Sequence, residues 1–254
     1  EYKDSLSRAQ KLGYAESNPT SDINGDDVAS KLKILTALSF NSYINNKSIL
    51  IEGIKNIDQI DINNANRLGY KIKLLGVAEL IKNKIIQRVH PALIDKNSYI
   101  AKIDGVYNAV IIESNPVGKT VLQGEGAGPG PTTSSLVSDL CSILRGNVKF
   151  PFVLSEKKRS PAVFENINNR RFSVYLRLDV KDKHGILSDV TKVMAINKVS
   201  VKRLIQNQTK NKKNASIVMI THEAKSSSFD KVLSELKKKN YVINTPKIIR
   251  IEKI

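Results

Sequence analysis

The chain has 254 residues, 41% of them hydrophobic and 26% charged, which is material for one large or two ordinary globular domains. No apolar run approaches the roughly 18–20 residues of a membrane span, no basic-then-apolar leader opens the chain, and the single Cys141 excludes a disulfide framework and fits a reducing, cytoplasmic setting. The formal charge of +17 is carried mostly beyond residue 152, where 23 Lys and Arg face 9 Asp and Glu; no aromatic residues interleave these lysine clusters, which argues against nucleic acid.

In chain order, a helical pattern runs from Tyr2 to Leu12, so the sequence reads as a piece whose N-terminal part lies upstream of Glu1. Asp26 to Phe40 reads as a helix, and a second follows in "DQIDINNANRLGY", opened by a capping aspartate. "KIKLLGVAEL" and "KNKIIQRVHPALI" alternate like two paired strands joined at "IKNK". "GVYNAVIIES" reads as another strand, leading to a Gly-rich loop, and "TTSSLVSDLCSIL" as a helix beginning at Thr132 or Thr133 with Cys141 buried in it. These elements have no repeated βα period, which favours an α+β architecture with a mixed sheet in a first domain, residues 1–152.

Residues 153–168, polar and proline-containing, read as a linker, and residues 169–254 as a second domain. There "RFSVYLRLDV" places Phe172, Val174, Leu176, Leu178 and Val180 on one face, "GILSDVTKVMAINK" is helical, and two strands follow around the basic turn "QTKNKKN". A helix in "SSFDKVLSELKKKN" and a strand in "YVINTPKIIRIEKI" complete the order βαββαβ, a ferredoxin-like arrangement.

The chemistry concentrates in residues 12–38, where Glu16, Asp22, Asp26 and Asp27 precede Lys31. On a helical wheel Lys31 falls inside the stripe of Leu32, Leu35 and Leu38, with Asp27 one turn before it; Asp26 and Lys33 fall on the opposite, solvated face. An inward lysine is costly unless it has partners or lines a cavity, so the wheel leaves two readings, a capped structural helix or a site for a small polar molecule. The three histidines, His90, His184 and His222, lack the spacing of a metal site, and His90 reads as structural.

The stretch "LGYAESNPTSDINGDDVASKLKIL" resembles the signature of the homoserine dehydrogenase family, and the resemblance continues through "RLGYKIKLLGVA", "RVHPALI", "GVYNAV" and "GEGAGPGPTTSSLVSDL". It implies NAD(P)-dependent interconversion of L-aspartate 4-semialdehyde and L-homoserine in threonine, methionine and isoleucine biosynthesis, in a cytoplasmic homodimer or tetramer. By resemblance Lys31 is the catalytic proton donor, and Gly13, Glu16, Asp22 and Asp27 bind substrate. The "GEGAGPGPT" loop lacks the G-x-G-x-x-G spacing of a dinucleotide fingerprint; by resemblance its Gly126, Ala127, Gly128 and Thr132 approach NADP or NAD. Most of the cofactor site, the Rossmann domain, is expected upstream of Glu1, so the isolated piece is expected to be inactive.

The second domain resembles an ACT domain, with "VKDKHGIL" matching its ligand loop and implying that Asp182, Gly185 and Ile186 bind an amino-acid effector such as threonine. A different class remains open, a non-catalytic amino-acid-binding module of ACT type.

Overall fold

The computed structural model describes residues 2–13, 16–43, 49–147, 160–161, 163–209 and 213–254. Its framework is one eight-stranded mixed sheet that runs through both halves of the sequence. Strands β3 (Tyr70–Ile81) and β4 (Lys84–Asp95) pair antiparallel along their whole length. They are joined through Lys82 and Asn83, both at positive φ, which matches a two-residue turn to the twist of the strands.

The other edge of β4 is shared. The short β2 (Ile49–Ile51) pairs parallel with it at Gln87–Val89, and β12 (Lys247–Ile251) pairs parallel with it at Ala92 and Leu93. From β12 the sheet continues through β8 (Arg171–Lys181) and β10 (Asn214–Thr221) to β9 (Val201–Gln208), all antiparallel, and the two-residue β11 (Ala224–Lys225) pairs antiparallel with the start of β8 as the eighth strand. With helices α6 (Ile186–Ile196) and α7 (Ser226–Lys237), β8, β9, β10 and β12 form the expected βαββαβ unit. The α+β class, with a mixed sheet and a ferredoxin-like C-terminal unit, is therefore as read from the sequence.

Alternation along β8 decides what lies on each face. Phe172, Val174, Leu176, Leu178 and Val180 enter one core with Val190, Val193 and Met194 of α6 and Phe229, Val232 and Leu236 of α7. On the other face Tyr175 packs with Val218, Ile220 and Ile249, and the cover is Ala65 and Leu68, in or just after helix α4 (Gln59–Arg67). A helix from the first half thus roofs the sheet of the second. On that same face helix α3 (Asp26–Phe40) lies against Val89 and Leu74, placing Ala29 and Leu32 in a third cluster.

Polar links close the junction. The Arg88 side chain, 1% exposed, donates from Nε and Nη2 to the two oxygens of Glu252 at 2.7 and 2.8 Å and from Nη1 to Glu79 at 2.6 Å. His90 is fully buried with Nε2 at 3.0 Å from Glu252, a structural role in this chain. Under α4, Asp58 and Asp61 form a capping box and also meet Arg177 and Lys247. Burial holds the Asp61 carboxyl above its ordinary range.

The segment beyond Asp104 is different. Strands β5 (Tyr107–Ser114) and β6 (Gly118–Glu125) make a separate hairpin, and helix α5 (Pro129–Leu144) contains no buried residue. Two expectations are corrected here, and one strand is new: β6, whose glycines and polar residues hide a strand that exists through pairing with β5. Helix α5 starts at Pro129, not Thr132 or Thr133, since proline is pre-set for the first helical turn. Cys141 is exposed, because the apolar stripe containing it meets no other element among the described residues.

The linker expected at 153–168 falls partly outside the described residues, as do residues 210–212 of the basic turn. Of the rest, the two-residue strand β7 (Ser160–Pro161) pairs parallel with β1 (Ser42–Tyr43), and Phe164 bridges to Ile85.

Candidate functional site

The acidic cluster enters the fold through helix α1 (Tyr2–Lys11) and the five-residue α2 (Thr20–Asn24), which turns into α3 at Gly25. Gly25 has φ +86°, and its backbone closes α2 by donating to the Asp22 carbonyl at 3.2 Å. A Cβ there would also stand 3.0 Å from Val89 Cγ1, so only glycine lets the turn lie on the sheet. Deeper along α3, Gly76 of β3 lets Val28 and Leu32 approach; a Cβ on it would meet Val28 Cγ1 at 3.0 Å. Gln87, also on β4, donates to the Thr36 hydroxyl at 2.7 Å, and Thr36 donates to the Leu32 carbonyl. The helix is thereby seated on the strand that also holds Glu252 from its other face.

These contacts orient α3 differently from the wheel. Its buried residues are Ala29, Leu32, Thr36 and Ala37, while Leu35 and Leu38 are 37% and 46% exposed. Lys31 is consequently an exposed side chain at 62%, and Lys33, expected to be solvated, is half-buried. The inward placement of Lys31 is thus overturned. The physical reason is that α3 seats Val28 and Leu32 against Gly76 and Thr36 against Gln87, a rotation that carries Leu35, Leu38 and Lys31 away from the sheet.

What the wheel proposed as a pair is a pair. Lys31 Nζ donates to Asp27 Oδ2 at 2.7 Å, one turn apart. Asp26 is exposed. Gly13 (φ +73°), Glu16 and Asp22 lie ahead of the pair on the α1–α2 segment, all exposed. The segment is folded back by Gln10, whose Nε2 donates to the Glu16 carbonyl at 2.9 Å. Among the described residues no side-chain hydrogen bond joins Glu16 or Asp22 to the Asp27–Lys31 pair. The face is therefore an open, mixed-charge surface on which the Lys31–Asp27 pair and the further carboxylates of Glu16 and Asp22 are exposed, beside the exposed apolar row of Ile34, Leu35 and Leu38.

Gly126, Ala127 and Gly128 lead from the β5–β6 hairpin into α5, and Thr132 lies in its first turn. Gly126 donates to the Val106 carbonyl at 3.1 Å, and a Cβ on it would collide with the Asn108 amide. The Thr132 hydroxyl turns back into its own helix and donates to the Gly128 carbonyl at 2.8 Å. Pro129 and Pro131 remove two of the first three helical N–H groups, leaving Gly130 as the donor of that turn. Such a helix start is poor as a phosphate cradle but leaves open glycine backbone for a flat, weakly charged ring.

Asp182, Gly185 and Ile186 come together. They line a crevice of about 720 Å³ at the C-terminal end of β8, with His184, Gln206 and Ile217. Gly185 (φ +82°) turns the strand into α6, and Asp182 is held by its backbone donating to the Lys213 carbonyl at 2.8 Å.

Sequence reasoning missed the Gln87–Thr36 seat and the Arg88–Glu252 clasp. The available signal was the run "IIQRVHPALI", where Gln87, Arg88 and His90 interrupt an otherwise apolar central strand. Buried polar groups in such a strand need partners from other elements.

Comparison with known proteins extends over both halves. A family model described as homoserine dehydrogenase matches residues 1–141, and one described as ACT domain matches residues 174–240. A curated homoserine dehydrogenase from Helicobacter pylori is 37% identical over 251 residues, covering 99% of this chain and 59% of that protein. The crystal structure of a homoserine dehydrogenase from Thiobacillus denitrificans superposes with a TM-score of 0.87 at 33% identity, over 99% of this chain and 58% of that one. A homoserine dehydrogenase from Staphylococcus aureus superposes with a TM-score of 0.69 at 28% identity, over 100% of this chain and 60% of that one. The chain therefore spans about three-fifths of the length of the relatives it matches.

Proposed function

Because the chain belongs to the homoserine dehydrogenase family, an amino-acid biosynthesis enzyme family, and carries an ACT domain, we propose that it forms the substrate-handling portion of an enzyme interconverting L-aspartate 4-semialdehyde and L-homoserine. The observation that carries this reading is the 2.7 Å Lys31–Asp27 pair, held on the open face of a helix whose other face is locked to the sheet. In the reducing direction Lys31 Nζ gives its proton to the aldehyde oxygen, which becomes the hydroxyl of homoserine. Asp27 orients that ammonium, and Glu16, Asp22 and Asp27 attract the ammonium of the substrate, with the Gly13 backbone beside them.

Bound NADP or NAD, in its reduced form NADPH or NADH, would supply the hydride in that direction, and the oxidised form would accept it in the reverse one. Gly126, Ala127, Gly128 and Thr132 would face its nicotinamide end, which suits open glycine backbone with a single free N–H in the first turn of α5. No helix among the described residues is long and apolar enough to cross a membrane, and a cytoplasmic homodimer or tetramer is part of the same proposal.

The test is homoserine oxidation followed through NADPH in the enzyme that contains this chain. Lys31→Met is expected to lower kcat by about 10²–10⁴, and Asp27→Ala to act mainly on KM. Full activity of Lys31→Met would sink the proposal. The 254-residue chain alone is expected to give no turnover.

A second reading, an amino-acid-binding module of ACT type without chemistry, is favoured by the Asp182 crevice. It expects threonine to bind there and Lys31→Met to change nothing.

A further inference from the structure

A second crevice lies at the opposite end of β8 from the Asp182 loop. Ser173 lines one and Val180 the other, seven residues apart, or roughly 23 Å along an extended strand. This second crevice encloses about 480 Å³. Its walls come from both halves of the sheet: Tyr70 and Asp95 from β3 and β4, Ser173, Lys202, Ile220 and Ile251 from the ACT unit.

The polar groups in it divide into committed and uncommitted. Glu252 is taken up by Arg88 and His90, and Lys253 by Glu223. The side chains of Tyr70, Ser173 and Lys202 form no hydrogen bond or ion pair among the described residues. The Asp95 carboxylate accepts only the Asn97 backbone N–H, at 2.8 Å through Oδ1, leaving its other oxygen open. Thus an ammonium and two hydroxyls stand available for a carboxylate, and a carboxylate for a cation. Ile220, 1% exposed, and Ile251 supply an apolar surface between them.

We propose that this junction crevice binds a zwitterion with an aliphatic body, an α-amino acid with a hydrocarbon side chain. Lys202, with Ser173 and Tyr70, receives its carboxylate, Asp95 its ammonium, and Ile220 and Ile251 its side chain. A simple anion would leave Asp95 facing it unfavourably, and a simple amine would leave Lys202 so. The volume lies within the few-hundred-Å³ range of small-molecule sites. The site is independent of the Lys31 chemistry and separate from the Asp182 crevice, and its ligand would tie the two halves of the sheet together.

The experiment titrates the chain, methyl-labelled at isoleucine, with L-isoleucine, with 3-methylpentanoate and with 2-methylbutylamine, reading methyl shifts by NMR and heat by calorimetry. L-isoleucine is expected to move the Ile220 and Ile251 methyls saturably, with the acid and the amine each binding at least about tenfold more weakly. Lys202→Ala and Asp95→Ala, exposed positions that should leave melting unchanged, are expected to weaken L-isoleucine by about tenfold or more, and Asp182→Ala to leave it unaltered. Shifts confined to Ile186 and abolished by Asp182→Ala would overturn the proposal. So would equal binding of either half-ligand, or no saturable change at millimolar concentrations.

Discussion

The strands and helices from Arg171 to Ile251 and the projecting segment from Tyr107 to Leu144 draw on the same apolar vocabulary and bury it oppositely. In the first, Leu178, Val190, Met219 and Leu236 are at most 1% exposed. In the second, Leu136, Leu140, Ile143 and Leu144 are all more than half exposed. An apolar stripe states that a surface is suited to contact; it does not state which element supplies the contact, or whether that element lies within these 254 residues. The ACT unit carries its own α6 and α7 for one face and borrows α4 for the other, whereas α5 buries no residue among the described residues.

Substitutions break this contrast in graded steps. The largest effect is expected at the junction clasp. Glu252→Ala leaves the buried Arg88 with Glu79 alone and should cost about 3–5 kcal/mol in urea unfolding. Burial alone would raise the Glu252 carboxyl, but hydrogen bonds from His90 and Arg88 outweigh it and hold the group at about 2. Its folded value is thus depressed, so its contribution is complete above the ordinary carboxylate range near 4.5 and is lost as pH falls towards about 2. An acid titration of stability should show that loss in wild type and lack it in Glu252→Ala.

Next comes Leu178→Ala, fully buried between β8 and its helices, expected to cost about 2–5 kcal/mol. Gly25→Ala combines a positive φ with contact on Val89 and should cost about 1–3 kcal/mol, and it should also displace α3. The smallest change is expected from Leu140→Ala on α5, within about 0.5 kcal/mol for the isolated chain. A cost at Leu140 as large as at Leu178 would show that α5 is buried in solution, and the contrast would fall.

The same logic explains which parts of the candidate site were legible. Asp27 and Lys31 were readable as neighbours because one helical turn sets their separation whatever the helix packs against. Their direction was not readable. The wheel followed all three leucines inward, and the sheet accepted Leu32 with Ala29, Thr36 and Ala37 but not Leu35 or Leu38, because the seats at Gly76 and Gln87 fix the rotation of the helix. Cys141 and strand β6 were missed for a related reason, since burial and pairing belong to two elements at once.

The sequence by itself determined the periodic elements: the α3 and α4 helices, the Tyr70–Asp95 strand pair and the βαββαβ unit with its inward alternation, together with the family signature. These depend on local spacing, capping and turn chemistry, which a chain carries wherever it goes. Only the tertiary structure decided that β12 docks parallel on β4, that α4 roofs the ACT sheet, that Arg88 clasps Glu252 across 164 residues, and that Lys31 faces outward. Those outcomes follow from complementary shape and charge between distant segments, and no local pattern encodes the surface that will be met.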